Sequence, residues 1–165
     1  MADLIENVNF IPFEPKIKNR YIFSIAGAGD TGLDAYLIKT AARPSIVFQE
    51  VKLEQLNLIR YVKGKGEWGT ITVTLYDPII PSAAQAVQEW IKLSHEALTG
   101  RDGYAVNYKK ECTIQVLGPV GDLIEQWTLT GTWIQSANFQ GLDFTSNDPV
   151  DIELVLRYDY ATLQF

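Results

Sequence analysis

Residues 66 to 77 read GEWGTITVTLYD, and within them Ile71, Val73 and Leu75 alternate with Thr70, Thr72 and Thr74. A period of two sends successive side chains to opposite faces, the pattern of a half-buried strand, and threonine's β-branch suits a pleated surface. The strand is read as 67–76. Together with 46–54 it makes the two arms of a long hairpin, with residues 54–67 at the tip. Before that, RYIFSIA (20–26) alternates Tyr21, Phe23 and Ile25 with Arg20 and Ser24, and GAGDTG follows as a turn. A further strand over 35–42 ends ahead of Arg43-Pro44, because the residue before proline is pushed to extended geometry. Residues 1–19 carry Phe10, Pro12, Phe13 and Pro15 without sustained periodicity, and read as an extended arm.

Beyond the hairpin, Ser82 can cap a helix with Gln85 three residues on. Ala86, Val87, Trp90, Ile91, Ser94, Ala97 and Leu98 then form one stripe before Gly100, which places the helix at about 82–98. After a loop at 99–109, strands are expected at 110–117, 123–134 and 150–160, with Gly118-Pro119-Val120-Gly121 turning between the first two. In the last strand Ile152, Leu154, Leu156 and Tyr158 share one face, and Asp151, Glu153, Arg157 and Asp159 the other. Strands, one helix, then strands define a mainly β class: an antiparallel two-sheet β-sandwich or barrel with one flanking α-helix. No internal repeat or linker divides the chain, so residues 1–165 are read as a single domain.

The chain has 165 residues, 47% hydrophobic, enough for a core of its own. No stretch approaches the roughly 20 apolar residues of a membrane span, and MADLIENVNF lacks the order of a signal peptide, so a soluble protein made in the cytoplasm is expected. The net charge of −6 argues against tight nucleic-acid binding, which needs clustered cations to displace counterions. Cys112 is the single cysteine and alternates with polar neighbours, the pattern of a buried structural thiol.

Several residues resemble chemical sites. Gly27, Gly29 and Gly32 fit G-x-G-x-x-G after a strand, with Glu50 near the acidic position. A dinucleotide fold needs repeated βαβ units, however, and one helix does not supply them. His95, the only histidine, falls on the polar helix face beside Lys92 and Glu96, where a solvated role is expected. One His and one Cys cannot make an ordinary zinc site. No serine lies in a G-x-S-x-G elbow. Asp143, Asp148 and Asp151 with Asn147 lack calcium-loop spacing. The chain is therefore read as a non-enzyme without cofactor or metal. The segment EQLNLIRYVKGKGE (54–67) is different, because Arg60, Lys63 and Lys65 sit beside Leu56, Leu58, Ile59 and Tyr61 on an otherwise acidic protein. Apolar residues outside a core mark an interaction surface, and the cations favour an acidic partner such as another copy.

Over most of its length the chain resembles the tail tube proteins of contractile-tailed bacteriophages, a superfamily shared with bacteriocin and secretion-system tubes. The residues that carry the likeness are Lys39-Thr40-Ala41-Ala42-Arg43-Pro44, GEWGTITVTLYD, the helix with Trp90, the Tyr108-Lys109-Lys110 step and GTWIQSANFQGLDFTSNDPVDIELVLRYDY (131–160). The resemblance implies a homohexameric ring with a continuous inner β-barrel. Such rings stack into a conduit for tape-measure protein and DNA in a virion tail assembled in the host cytoplasm. It implies sheath, baseplate and tail-terminator proteins as partners, transient passage of DNA and no membrane insertion. The long hairpin, about 50–67, would reach the neighbouring ring through Leu58, Arg60, Tyr61, Lys63 and Lys65. Glu50, Lys52, Asp151, Glu153 and Arg157 are the expected lumen-lining residues. Two alternatives stand: a tube subunit of a contractile secretion or bacteriocin particle, and a stand-alone β-sandwich binding module. The N-terminal arm and the GAGDTG turn match no pattern of the family.

Overall fold

The alternating stretch at 71–76 folds as expected, with Ile71, Val73 and Leu75 buried and Thr72 exposed in strand β5 (Ile71–Tyr76). The computed structural model describes residues 14–26 and 33–165. The remaining strands are β1 (Tyr21–Ile25), β2 (Ile38–Ala41), β3 (Ile46–Gln55), β4 (Leu58–Trp68), β6 (Lys110–Leu117), β7 (Leu123–Asn138), β8 (Asp151–Arg157) and β9 (Tyr160–Leu163). Two helices complete the described residues, α1 (Ala83–Ser94) and the single turn α2 (Ala105–Tyr108).

Strand β7 organises the molecule because it belongs to two sheets. Through Leu123 to Thr132 it pairs with β6, and β9 lies on its other side; from Trp133 onward it pairs with β8. The switch falls at Gly131, which has φ +69°, opposite a register shift between Lys110 and Cys112. A β-carbon at Gly131 would collide with the Asp159 carboxylate, so the bend needs glycine for both conformation and space. The first layer is β1-β6-β7-β9 and the second is β7-β8-β5-β2, every pairing antiparallel. Their inner faces share one core, in which Phe23, Cys112, Ile114 and Leu129 meet Ile71, Leu75, Ile152, Leu154 and Leu156. The mainly β, two-sheet architecture with one main helix agrees with the sequence reading.

Helix α1 closes one side of this core. Ser82 accepts from the Gln85 amide as its cap, and Ala83, Ala86, Val87 and Trp90 are buried. Trp90 donates its indole N–H to the Tyr108 carbonyl at 2.8 Å, which ties α1 to α2.

Outside the hairpin, five boundaries differ from expectation. The strand anticipated at 35–42 starts as a 3₁₀ turn, Ala35–Leu37, that buries Leu37, and only then becomes β2. The helix ends at Ser94, not near 98: the Ser94 hydroxyl bonds back to Ile91, and a small hairpin follows in which His95 bridges Asp102. Gly100, with φ +69°, turns that hairpin and leaves Leu98 exposed. The loop expected at 99–109 holds α2, and β7 runs past 134 to Asn138. The final strand breaks at Tyr158-Asp159, where the chain crosses from the second layer to the first; Asp159 donates its amide to Thr130 and its carboxylate binds Lys109 at 2.9 Å. Most of the expected N-terminal arm and all three glycines of the G-x-G-x-x-G pattern lie outside the described residues. The helix that pattern requires is absent among the described residues that follow, since Leu33 to Ala41 become a 3₁₀ turn and a strand.

Candidate functional site

The hairpin is longer and differently jointed than its sequence indicates. Strands β3 and β4 form a two-stranded ribbon that turns at Leu56-Asn57, so the segment read as a tip at 54–67 is mostly strand. The return arm is not one strand over 67–76 either, because Gly69 and Thr70 separate β4 from β5. Bonds from Ala42 to Thr72 and from Gly69 to Ser45 nevertheless carry the ladder on from β2–β5 into the ribbon. The segment's two glycines, Gly64 and Gly66, serve close approach. A β-carbon at Gly64 would lie 2.9 Å from the Gln49 carbonyl oxygen, at a bulge between Phe48 and Glu50, and one at Gly66 would meet the Phe48 ring at 2.7 Å.

Every residue of β3 is exposed, and in β4 only Gly64 and Trp68 are half-buried. Residues directly opposite in an antiparallel pair share a face, so the register sorts the side chains. Val51 faces Val62, Leu53 faces Arg60 and Gln55 faces Leu58, giving one largely apolar face. Glu50 faces Lys63, Lys52 faces Tyr61 and Glu54 faces Ile59, giving a charged one, on which Lys52 pairs with Glu54. The five residues expected to contact a neighbouring ring therefore share one element but not one face. Leu58 and Arg60 lie with the valines, whereas Tyr61 and Lys63 lie with Glu50 and Lys52, two of the residues expected at the lumen. Lys65 sits beyond the bulge, and the Lys63 ammonium stands 4.6 Å from the Phe48 ring centroid.

The other three residues expected at the lumen project from the outer face of β8, with Val155 between them. Lys39 donates to Asp151 at 2.6 Å, Gln140 to Glu153 at 3.5 Å and Arg157 to Glu67 at 2.8 Å, the last tying β8 to the base of the ribbon. Neighbouring positions on this layer are Thr72, Thr74 and Tyr76 of β5 and Ser136 and Asn138 of β7. The surface mixes charged and polar side chains with Val155 and Tyr76, and Trp133 stands opposite Arg157. Beyond Thr132, β7 pairs on one side only, and β2 is the terminal strand of the order, so this four-stranded layer keeps two open edges among the described residues.

Several other titratable groups have local partners. Asp143 accepts from the amide and hydroxyl of Thr145, which holds its carboxyl below the usual carboxylate range. Asp148 takes the Ser146 hydroxyl, and exposed His95 contacts Asp102 at 2.7 Å. Burial pushes the Cys112 thiol up to about 12. No helix among the described residues is long and apolar enough to cross a membrane.

One cluster escaped the sequence reading. Glu125 is buried between β6 and the N-terminal segment, where Lys16, Arg43 and the Trp127 indole all reach its carboxylate. The bond from Lys16 outweighs the cost of burial and holds the carboxyl below its ordinary range. Lys16 and Arg43 are far from Glu125 in sequence, so local periodicity carries no sign of the cluster.

By sequence the chain matches no protein-family model and no curated relative. By structure, its fold recurs in chains of solved contractile injection system assemblies. It resembles a chain of the sheath/tube terminator of an extracellular contractile injection system, PVC, with TM-score 0.74 and 17% identity over 93% of this chain and 99% of that one. A chain of the anti-feeding prophage tube-terminating cap gives 0.71 at 18% over 92% of each. A chain of the PVC sheath–tube complex gives 0.70 at 18%, over 99% of this chain and 97% of that one. At such identities the likeness is one of fold.

Proposed function

We propose that this chain is a structural subunit of the tube, or of the tube terminator, of a contractile tail-like particle, and not an enzyme. The observation that carries the reading is the β3–β4 ribbon. An isolated two-stranded hairpin is marginal in water, and this one leaves both faces uncovered with apolar side chains along one of them. Further copies of the chain are the partner that covers it. The open edges of the β7-β8-β5-β2 layer support closure into a ring, since pairing them around a symmetry axis removes edges that would otherwise recruit strands at random.

In its finer form the reading is a homohexameric ring that stacks through the ribbon, with Leu58, Arg60, Tyr61, Lys63 and Lys65 at the inter-ring contact. Sheath, terminator and baseplate proteins are its partners, as the solved complexes of similar fold contain such components. The polar outer face of β8, with Asp151, Glu153 and Arg157, lines the lumen; Glu50 and Lys52 extend it along the charged ribbon face. If the particle is a phage tail, tape-measure protein and DNA pass through, and acidic side chains keep phosphates from adhering. A secretion or bacteriocin particle would use the same conduit for other cargo. A sheath gene flanked by capsid genes identifies the phage case.

Negative-stain microscopy of the purified chain at high concentration tests the assembly. Rings or tubes are expected, and monodisperse small particles under every condition would sink it. Ejection from particles carrying Asp151→Lys and Glu153→Lys tests the lumen, with slowed DNA release expected and unchanged release counting against the assignment.

A further inference from the structure

The segment 139–150 between β7 and β8 contains no regular element, yet it is held in one shape by its own side chains. Asn138 takes the Gln140 amide, Asp143 takes the amide and hydroxyl of Thr145, and Ser146 takes the Asp148 amide. What this bracing presents to water is apolar: Phe144 is fully exposed at the turn and Leu142 is 85% exposed. The bracing preorganises the loop that carries the exposed ring, so little backbone ordering entropy remains to be lost on docking.

The receptor is at the seam of the curled sheet. Strands β1 and β2 end the strand order, and the Tyr21 hydroxyl reaches the Lys39 carbonyl at 2.8 Å across the gap between them. Beside this bond a cavity of about 360 Å³ opens, floored by Ile114 and Val116 and overhung by Lys18 and Arg20. Lys16 and Arg43 also line it, but their charge is engaged by Glu125. Among the described residues Lys18 and Arg20 make no ion pair. The arm supplies what they lack, because Asp143 and Asp148 flank Phe144 and each keeps one carboxylate oxygen without a partner among the described residues.

We propose that the 139–150 arm of one copy of this chain docks into the seam cavity of the next copy, with Phe144 on the Ile114–Val116 floor and Asp143 and Asp148 facing Lys18 and Arg20. The inference rests on the tube reading and adds to it a second, knob-and-hole contact, separate from the ribbon and set beside the β2 edge. A knob on one surface and a hole on another form a heterologous contact, which propagates head to tail and closes when the rotation allows.

Phe144→Ala removes the anchor without touching the core, and is expected to raise the concentration needed for assembly by about 30-fold. Chains carrying Phe144→Cys, mixed under mild oxidation with chains carrying Ile17→Cys at the cavity rim, are expected to give a cross-linked dimer. The native Cys112 is buried and does not compete. Wild-type rings with Phe144→Ala assembling at the wild-type concentration would overturn the docking and leave the tube reading standing. A disulfide formed only within one chain, in a protein carrying both cysteines, would overturn it as well. A wild-type chain that never assembles overturns both.

Discussion

Replacing residues 48–66 by Asn-Gly would join Val47 to Glu67 through a two-residue hairpin turn and remove the distal ribbon. Two quantities follow from the structure and they separate. Among the described residues no side chain from 48–66 belongs to the hydrophobic core or packs against it, so the stability of the dilute monomer should change by no more than about 1 kcal/mol. The Arg157–Glu67 ion pair and the half-buried Trp68 remain in place. Association, by contrast, loses Phe48, Val51, Leu53, Leu56, Leu58, Ile59, Tyr61 and Val62, each about half exposed or more. Covering half of a side chain of this size is worth about 1 kcal/mol, so these eight offer on the order of 8 kcal/mol against an association cost of about 4–15 kcal/mol. Their removal should abolish assembly. Urea unfolding followed by tryptophan fluorescence reads the first quantity; sedimentation and microscopy at high concentration read the second. A truncated chain that still forms rings at the wild-type concentration, or a monomer destabilised by several kcal/mol, would refute the reasoning.

Gly131→Ala must adopt a left-handed conformation and displace Asp159 from Lys109, which together should cost about 1–3 kcal/mol; a urea midpoint equal to wild type would show that β7 bends for another reason. Trp90→Ala empties the α1 side of the core and leaves the Tyr108 carbonyl without its donor, an expected loss of about 3–5 kcal/mol in the same assay. The Glu125 carboxyl is held below its unfolded value of 4.5, so its contribution is complete above that pH and is lost as pH falls through the folded value. Glu125→Gln should therefore flatten the loss of stability below about pH 4.5, and parallel curves for the two proteins would disprove the linkage. With its thiol pushed up to about 12, Cys112 should resist an aromatic disulfide reagent at neutral pH and react fully once urea unfolds the chain; fast reaction of the native protein would contradict its burial.

Periodicity revealed those elements whose two faces meet different environments. In β5 and β8 threonine or charge alternates with buried aliphatics, and Ser82 with the Ala86-Val87-Trp90 stripe marks the start of α1. Where the environment is the same on both sides, or where distant residues decide, the pattern misleads. Ala97 and Leu98 continue the helical stripe, yet Ser94 and the His95–Asp102 bridge stop the helix first. Gly64 and Gly66 look like loop joints because glycine more often turns a chain than lets two strands approach. The expected contact residues did fall together on β4, but their division between two faces depends on the pairing register, which opposes Lys52 to Tyr61 and Leu53 to Arg60. Register is a property of two strands, and reading either one alone does not reveal it.

A chain with an uncovered ribbon and two open sheet edges has two possible fates, closed assembly or indiscriminate strand addition, and the distribution of its polar groups bears on which one wins. The net charge of −6 opposes random association at long range without contributing at contact, because screening confines it to about 10 Å in ordinary salt. What must then select the productive neighbour is a short-range pairing of unlike surfaces. The ribbon alone does so poorly, since an apolar face accepts any apolar face. A braced aromatic arm flanked by Asp143 and Asp148, set against a cavity overhung by Lys18 and Arg20, is directional: like surfaces repel and unlike ones attract. On this argument the ribbon supplies most of the driving force and the arm supplies the register. Phe144→Ala should then yield assemblies that are irregular as well as delayed, whereas ribbon truncation yields none.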